Sequence, residues 1–162
     1  AQHVLDDEYY RRIEAIQFTM YHDDGKKLDD IAKADIVLLG VSRTNKTPTS
    51  IYLANRGYKT INIPLVLDQK VPDYIKSSNN KTCVIGLVAD PERLADIRRN
   101  RVAIMKEDSI KEYTDLNFIQ EEVSRSKELF KKYKWPVIDV TRRSVEEIAA
   151  SILKIFEIQK NQ

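Results

Sequence analysis

The chain is poor in the residues that mark several protein classes. It has one cysteine, two histidines and four glycines in 162 residues. Cys83 therefore has no internal disulfide partner, and no cysteine and histidine cluster shows the spacing of a metal site. No apolar run approaches the roughly 20 residues that cross a bilayer, and no stretch resembles a signal peptide. We therefore expect a cytoplasmic protein without a membrane partner.

The chain also has no large excess of positive or negative charge. Lysine and arginine total 27 and aspartate and glutamate total 25, so the formal net charge is +2. A near-balanced charge argues against a general nucleic-acid coat protein, and we expect no nucleic-acid partner. The length fits a single domain over residues 1–162. Because residue 1 is alanine, we also expect the chain to be a processed or excised part of a longer polypeptide.

Short apolar segments alternate with helical patterns. An N-terminal helix and turn are predicted within residues 1–25. Predicted strands cover 35–39, 59–63, 82–88 and 137–140, and predicted helices cover 48–56, 90–102, 115–133 and the segment after residue 144. This alternation predicts an α/β fold of three layers, a mostly parallel sheet with covering helices.

The segment between the first strand and the following helix carries the clearest motif. Its spacing is that of a Walker A phosphate loop, except that Asn45 stands where the second glycine is expected. Asparagine tolerates the left-handed backbone region, so we predict a positive φ at Asn45. The fold is accordingly expected to be P-loop NTPase-like. The residues predicted to bind nucleotide phosphates are Gly40, Val41, Ser42, Arg43, Thr44, Asn45, Lys46 and Thr47.

The chemistry of this phosphate loop, residues 40–47, is electrostatic. Backbone N–H groups and a helix N-terminus form a concave donor site for an anion. Lys46 would neutralise the terminal phosphate and act in catalysis, Arg43 adds a second cation, and Thr47 would offer its hydroxyl to Mg²⁺. The alternative is an ordinary strand-to-helix turn that contains a lysine.

Two carboxylates upstream are candidates for the catalytic base. Asp23 and Asp24 lie in a turn before the loop strand, from which they could fold back to orient a hydroxyl or hold magnesium. A plain turn is the alternative. We expect the neighbouring His22 to serve hydrogen bonding or packing rather than catalysis.

Arginines supply candidate phosphate contacts outside the loop. Arg98 and Arg101 are three residues apart and are expected to share a helix face, and Arg142 follows the last predicted strand at the edge that carries the loop. Arginine offers a planar fork for bidentate phosphate contacts. A salt-bridged surface or a partner-docking face is the alternative for the helix.

Several segments, in order along nearly the whole chain, resemble one known family: the regulatory proteins of pyruvate, phosphate dikinase and of phosphoenolpyruvate synthetase. The resemblance rests on residues 21–25, 34–50, 52–54, 91–94, 97–101 and 135–144. Members of this family are usually longer at the N-terminus. The chain thus resembles their C-terminal, nucleotide-binding portion.

The resemblance implies a bifunctional serine/threonine kinase and pyrophosphorylase. ADP would be the donor that phosphorylates a regulatory threonine of the target and inactivates it. Inorganic phosphate would remove that group and release pyrophosphate. Pyruvate, phosphate dikinase is the expected target, with phosphoenolpyruvate synthetase as the alternative. A nucleotide-binding and target-docking module without its own catalysis, an ATP-dependent small-molecule kinase, and assembly as a homodimer stay open.

Overall fold

A computed structural model describes residues 2–23, 28–66, 70–77, 81–101 and 113–161. Its strands are β1 Ile36–Gly40, β2 Thr60–Pro64, β3 Cys83–Val88 and β4 Val137–Asp139. Its helices are α1 Gln2–Tyr21, α2 Lys46–Asn55, α3 Asp73–Lys76, α4 Pro91–Arg99, α5 Leu116–Lys132 and α6 Val145–Lys160, and a 3₁₀ helix covers Leu28–Lys33. Even the 20-residue α1 is polar on average, and within the described ranges no helix has both the length and the apolar character to cross a membrane.

The four strands form one parallel sheet in the order β2-β1-β3-β4. Parallel strands require crossover connections, and here helices supply them on both sides. The predicted α/β class, with a parallel sheet between covering helices and a P-loop-like order of elements, is therefore confirmed.

Alternating side chains of β1 build the two cores. Ile36 and Leu38 point to one face of the sheet, where Leu53 of α2 and Ile148 of α6 pack. Val37 and Leu39 point to the opposite face, where they pack in a second core cluster. The end of α5 and the 3₁₀ helix also contribute to that cluster. Because successive residues of a strand face opposite sides, a fully apolar strand is what a sheet covered on both faces requires.

Three predicted helix starts are confirmed. Asp90 accepts a hydrogen bond from the backbone N–H of Arg93 at 3.1 Å, with proline in the first helical position. Asp115 caps α5 by accepting from the backbone N–H of Asn117 at 2.8 Å. Ser144 forms a capping box with the glutamate three residues later, and this box begins α6. Each cap satisfies N–H groups that a helix start leaves without partners.

Helix α2 differs from its prediction at the end that matters for the site. It begins at Lys46, two residues before the expected start near Pro48. The left-handed Asn45 completes the loop, and the proline is tolerated because the N–H groups of a first helical turn have no intrahelical partner. At the other end Gly57, with φ +92°, stops the helix, as predicted.

Candidate phosphate-binding site

The phosphate loop connects β1 to α2 at the carboxyl edge of the sheet. Asn45 has φ 62° and ψ 27°, so the predicted positive φ is confirmed. Arg43 has φ 71°, which the sequence reasoning did not anticipate. Two left-handed residues in so short a segment curl the backbone tightly, as a loop that directs several N–H groups inward requires.

Gly40 is needed in the loop because of close approach. A Cβ built there would lie 2.7 Å from Thr44 Oγ1 and 2.9 Å from the backbone oxygen of Leu87. The first glycine of the motif therefore lets the loop turn back against the neighbouring strand β3.

The side chain of Lys46 lies inside the loop. It is only 6% exposed, and its Nζ donates to the backbone oxygen of Val41 at 2.8 Å. The Thr44 hydroxyl donates to the same oxygen, also at 2.8 Å, and lies 3.4 Å from Lys46 Nζ. The ammonium is thus held in the concave side of a preformed loop, where it can balance the charge of an anion.

A cleft of about 290 Å³ opens beside the loop. Its lining consists of Ile97, Arg101, Pro48 of α2 and residues of the phosphate loop. Helix α4 ends at Arg99, so Arg101 lies in the turn after it, and the expectation that it shares a helix face with Arg98 is wrong. The cleft still brings together cationic side chains of Arg43 and Arg101 with the start of α2, which suits a phosphate.

Asp23 lies against the first turn of α2. Its Oδ1 accepts from the Thr47 hydroxyl at 3.1 Å and from Asn62 Nδ2 at 2.7 Å. The predicted catalytic carboxylate and the predicted magnesium ligand are therefore adjacent. Asn62 was missed, although a polar residue between two isoleucines in a buried strand was a usable signal. Asp24 lies outside the described residues.

The Asp23 and Thr47 oxygens are of the kind that could ligate a magnesium ion. Mg²⁺ is commonly held by one or two carboxylates with phosphate oxygens and waters completing its shell. A carboxylate and a hydroxyl at the mouth of a phosphate loop are such a partial set. The part of the chain that the structure describes holds no group of three or more His, Cys, Asp or Glu side chains arranged for a metal.

His22 occupies a packing position. It is 2% exposed, its Nδ1 donates to the backbone oxygen of Phe18 at 2.7 Å, and its ring lies 4.2 Å from the Phe18 ring. These contacts match the expectation that His22 serves hydrogen bonding and packing. The buried imidazole anchors the chain one residue before Asp23.

The other two predicted arginines are placed differently. Arg98 is 1% exposed, and its guanidinium bonds Glu122 Oε1 at 2.7 Å and the Ser42 backbone oxygen at 3.1 Å. This geometry favours a role behind the loop over direct phosphate contact. Arg142 lies in an exposed turn after β4, with φ 57°, outside the described lining of the cleft.

The surroundings of Cys83 and Asp139 shift the pKa values of these two side chains. Burial raises the pKa of the Cys83 thiol to about 11. Partial burial acts to raise the pKa of Asp139, but hydrogen bonds from Thr141 and the charges of Lys127 and Arg143 outweigh it and lower that pKa below the ordinary value. The carboxylate is thereby kept ionised at the end of β4, where it accepts from the Thr141 backbone N–H at 2.8 Å.

A strand, a curled loop with an inward lysine, and a helix that begins at that lysine define a P-loop-like α/β domain. The chain belongs to the kinase/pyrophosphorylase family, whose model matches residues 1–153.

Relatives of known name agree with this membership. A protein of Pelagibacter ubique (strain HTCC1062) is 61% identical over 160 residues, which cover 99% of this chain and 58% of the relative. A protein of Maricaulis maris (strain MCS10) is 52% identical over 161 residues, covering 99% and 57%. Both carry the name "Putative pyruvate, phosphate dikinase regulatory protein". The chain thus spans somewhat more than half the length of these relatives.

Proposed function

We propose that the phosphate loop binds the phosphates of ADP and that this chain carries the phosphotransferase site of a bifunctional regulator. In one direction the regulator phosphorylates a threonine of pyruvate, phosphate dikinase and inactivates it. In the other it removes that phosphate with inorganic phosphate and restores activity. Family membership and the names of the relatives support this reaction pair.

The observation that carries the proposal is the position of Lys46. Its ammonium is held within the loop by the Val41 backbone oxygen, 2.8 Å away, at the N-terminus of a ten-residue helix. Positive charge, a helix N-terminus and a curled backbone converge there, and each favours a phosphate group.

The forward reaction assigns a role to each charged group. The threonine oxygen of the target forms a bond to the β-phosphorus of ADP, the bond from that phosphorus to the bridging oxygen breaks, and AMP leaves. Lys46 and the loop amides stabilise the transferring group, and Asp23 accepts the proton of the threonine hydroxyl. Asp23 and Thr47 would hold a magnesium ion, which would supply further neutralisation of phosphate charge.

The reverse reaction uses the same pocket. An oxygen of inorganic phosphate forms a bond to the phosphorus of phosphothreonine, the bond to the threonine oxygen breaks, and that oxygen takes up a proton as pyrophosphate forms. Two phosphate groups must then lie side by side. Arg43 and Arg101, which line the same cleft as Lys46, provide positive charge for the second group.

A transfer assay with labelled ADP tests the proposal. Purified chain, magnesium, ADP labelled at the β-phosphate and pyruvate, phosphate dikinase should yield labelled dikinase and AMP. Lys46→Ala should abolish the label, while Lys154→Ala, at an exposed position of α6, should keep it. Transfer at a near wild-type rate by Lys46→Ala would refute the assignment of the loop.

Parallel arms separate the remaining alternatives. Phosphoenolpyruvate synthetase replaces the dikinase in one arm, and ATP replaces ADP in another. Preferential labelling of the synthetase, or preferential use of ATP, would contradict the proposal. Because the relatives are longer, the Pelagibacter protein is assayed beside this chain. If calorimetry shows that the chain binds ADP while only the longer relative transfers phosphate, this portion is a binding module.

A further inference from the structure

Arg98 is the bulkiest fully buried side chain of the described residues. It projects from the last turn of α4, and it joins three separate parts of the chain. Its Nη1 donates to Glu122 Oε1 of α5 at 2.7 Å and to the Tyr113 backbone oxygen at 3.2 Å. Its Nη2 donates to the Ser42 backbone oxygen of the phosphate loop at 3.1 Å. Burying a guanidinium is costly unless such partners surround it.

The bond to Ser42 has a consequence for the next peptide group. The Ser42–Arg43 peptide is planar and trans, so its C=O and N–H point in opposite directions. By fixing the Ser42 oxygen, Arg98 fixes the direction in which the Arg43 N–H donates. Arg43 has the strained φ of 71°, so this peptide benefits from an external restraint.

Glu122 and Tyr113 hold the guanidinium in place. Glu122 is itself only 11% exposed, so it neutralises Arg98 in a poorly solvated environment. The Tyr113 ring centroid lies 4.8 Å from Arg98 Cζ, and its hydroxyl lies 3.1 Å from Ser42 Oγ. An arginine engaged on so many sides is restrained from turning towards a phosphate.

We propose that Arg98 is a positioning residue, which orients the Ser42–Arg43 peptide so that the Arg43 amide can donate to a bound phosphate. The inference rests on the proposed phosphate-binding role of the loop. It assigns to Arg98 an effect on phosphate affinity that passes through the backbone and requires the two-armed geometry of a guanidinium, whereas a contact by charge alone would accept a lysine.

Arg98→Lys is the first test, with Arg99→Lys as the matched control. Lysine keeps the charge but cannot bridge Glu122 and Ser42 with a planar fork. The dissociation constant for inorganic phosphate, measured by calorimetry, should rise by about tenfold, as expected when one charge-assisted hydrogen bond is lost. Arg99 is exposed and pairs with Asp96, so its variant should leave the constant within about twofold.

Backbone NMR supplies a readout that general destabilisation would leave unchanged. In folded Arg98→Lys the Arg43 amide resonance should shift and should respond less to added phosphate, while the amides of α6 keep their positions. Wild-type phosphate affinity together with an unchanged Arg43 amide in the variant would overturn the proposal.

Glu122→Asp is the second variant, and it applies if Arg98→Lys does not fold. It keeps the charge but shortens the side chain, so the 2.7 Å contact is lost and Arg98 is no longer held against Ser42. Phosphate affinity should fall, whereas a direct phosphate contact by a released Arg98 would preserve or raise it, and that result would overturn the proposal. Glu121→Asp, at the neighbouring exposed position, is the control.

Lys46→Ala distinguishes a failure of the positioning role of Arg98 from a failure of the phosphate loop itself. If the wild-type chain binds phosphate, the Lys46→Ala variant loses phosphate binding and the Arg98→Lys variant keeps it, then the positioning role alone fails. If wild-type chain and Lys46→Ala bind phosphate equally weakly, the phosphate loop itself fails, and the role of Arg98 fails with it.

Discussion

The Thr47 hydroxyl donates a hydrogen bond to Asp23 Oδ1 at 3.1 Å, so the turn after α1 is tied to the first turn of α2. Twenty-four residues separate the two positions in sequence, yet the contact places a carboxylate at the mouth of the phosphate loop. In the proposed reaction, a base at this point would reach a hydroxyl that approaches a phosphate held by the loop.

Asp23→Asn should reduce the rate of transfer much more than the binding of ADP. The amide keeps the size of the side chain but accepts no proton, and a general base contributes about 10²–10⁴-fold. Single-turnover transfer with labelled ADP measures the rate, and calorimetry measures affinity. Asp7→Asn, at an exposed position of α1, is the control and should match the wild type. A rate within about twofold of the wild type in Asp23→Asn would exclude its role as the base.

Asn62→Leu should destabilise the fold and misplace Asp23. The Asn62 amide donates to Asp23 Oδ1 at 2.7 Å from a fully buried position in the middle of β2. Loss of a donor to a partly buried acceptor costs about 1–3 kcal/mol, which thermal or urea unfolding measures.

The transfer rate of the folded Asn62→Leu variant should also fall, because the carboxylate is no longer held. Asn55→Leu, on the exposed side of α2, removes only a bond to the Ile51 backbone oxygen and should change transfer little. Equal transfer rates in the two variants would show that Asn62 serves the fold alone.

Local signals predicted most elements of the fold. The helix starts near Asp90, Asp115 and Ser144 were predicted from local sequence, and all three starts are confirmed. The positive φ at Asn45 was likewise predictable, because glycine or asparagine is what that point of the motif requires.

The site was less predictable where it depends on long-range packing. Asn62 meets Asp23 across 39 residues, and Arg98 meets Ser42 across 56. Spacing alone grouped Arg98 with Arg101 as phosphate ligands, but the helix ends between them at Arg99. The buried ion pair with Glu122 then holds the Arg98 side chain behind the loop. Sequence spacing cannot reveal a partner that another helix supplies.

Cys83 should give the folded chain a dependence on alkaline pH. Burial raises its pKa from 9.0 to about 11, so between these values the folded thiol holds its proton while the unfolded one loses it. The free energy of unfolding should therefore fall as pH rises from about 9 to 11. Urea unfolding across this range measures the slope, and Cys83→Ala should flatten it. A Cys83→Ala variant with the wild-type slope would assign the dependence to other groups.

Gly40→Ala and Gly57→Ala should both destabilise the chain but differ in ADP binding. Alanine at position 57 must adopt a φ near +92°, which costs about 1–2 kcal/mol but disturbs only the end of α2 distant from the loop. Alanine at position 40 places Cβ 2.7 Å from Thr44 Oγ1 and 2.9 Å from the Leu87 backbone oxygen. The backbone of β3 is packed in the core and cannot move away, so the loop must shift instead. The loop backbone around Lys46 is displaced with it.

Calorimetry at a temperature where both glycine variants are folded should therefore show wild-type ADP affinity for Gly57→Ala and strongly weakened binding for Gly40→Ala. Thermal unfolding supplies the stability of each variant for this comparison. Equal ADP affinities in the two variants would mean that the curvature of the loop at Gly40 is a requirement of packing alone, and that the phosphate site tolerates a displaced backbone.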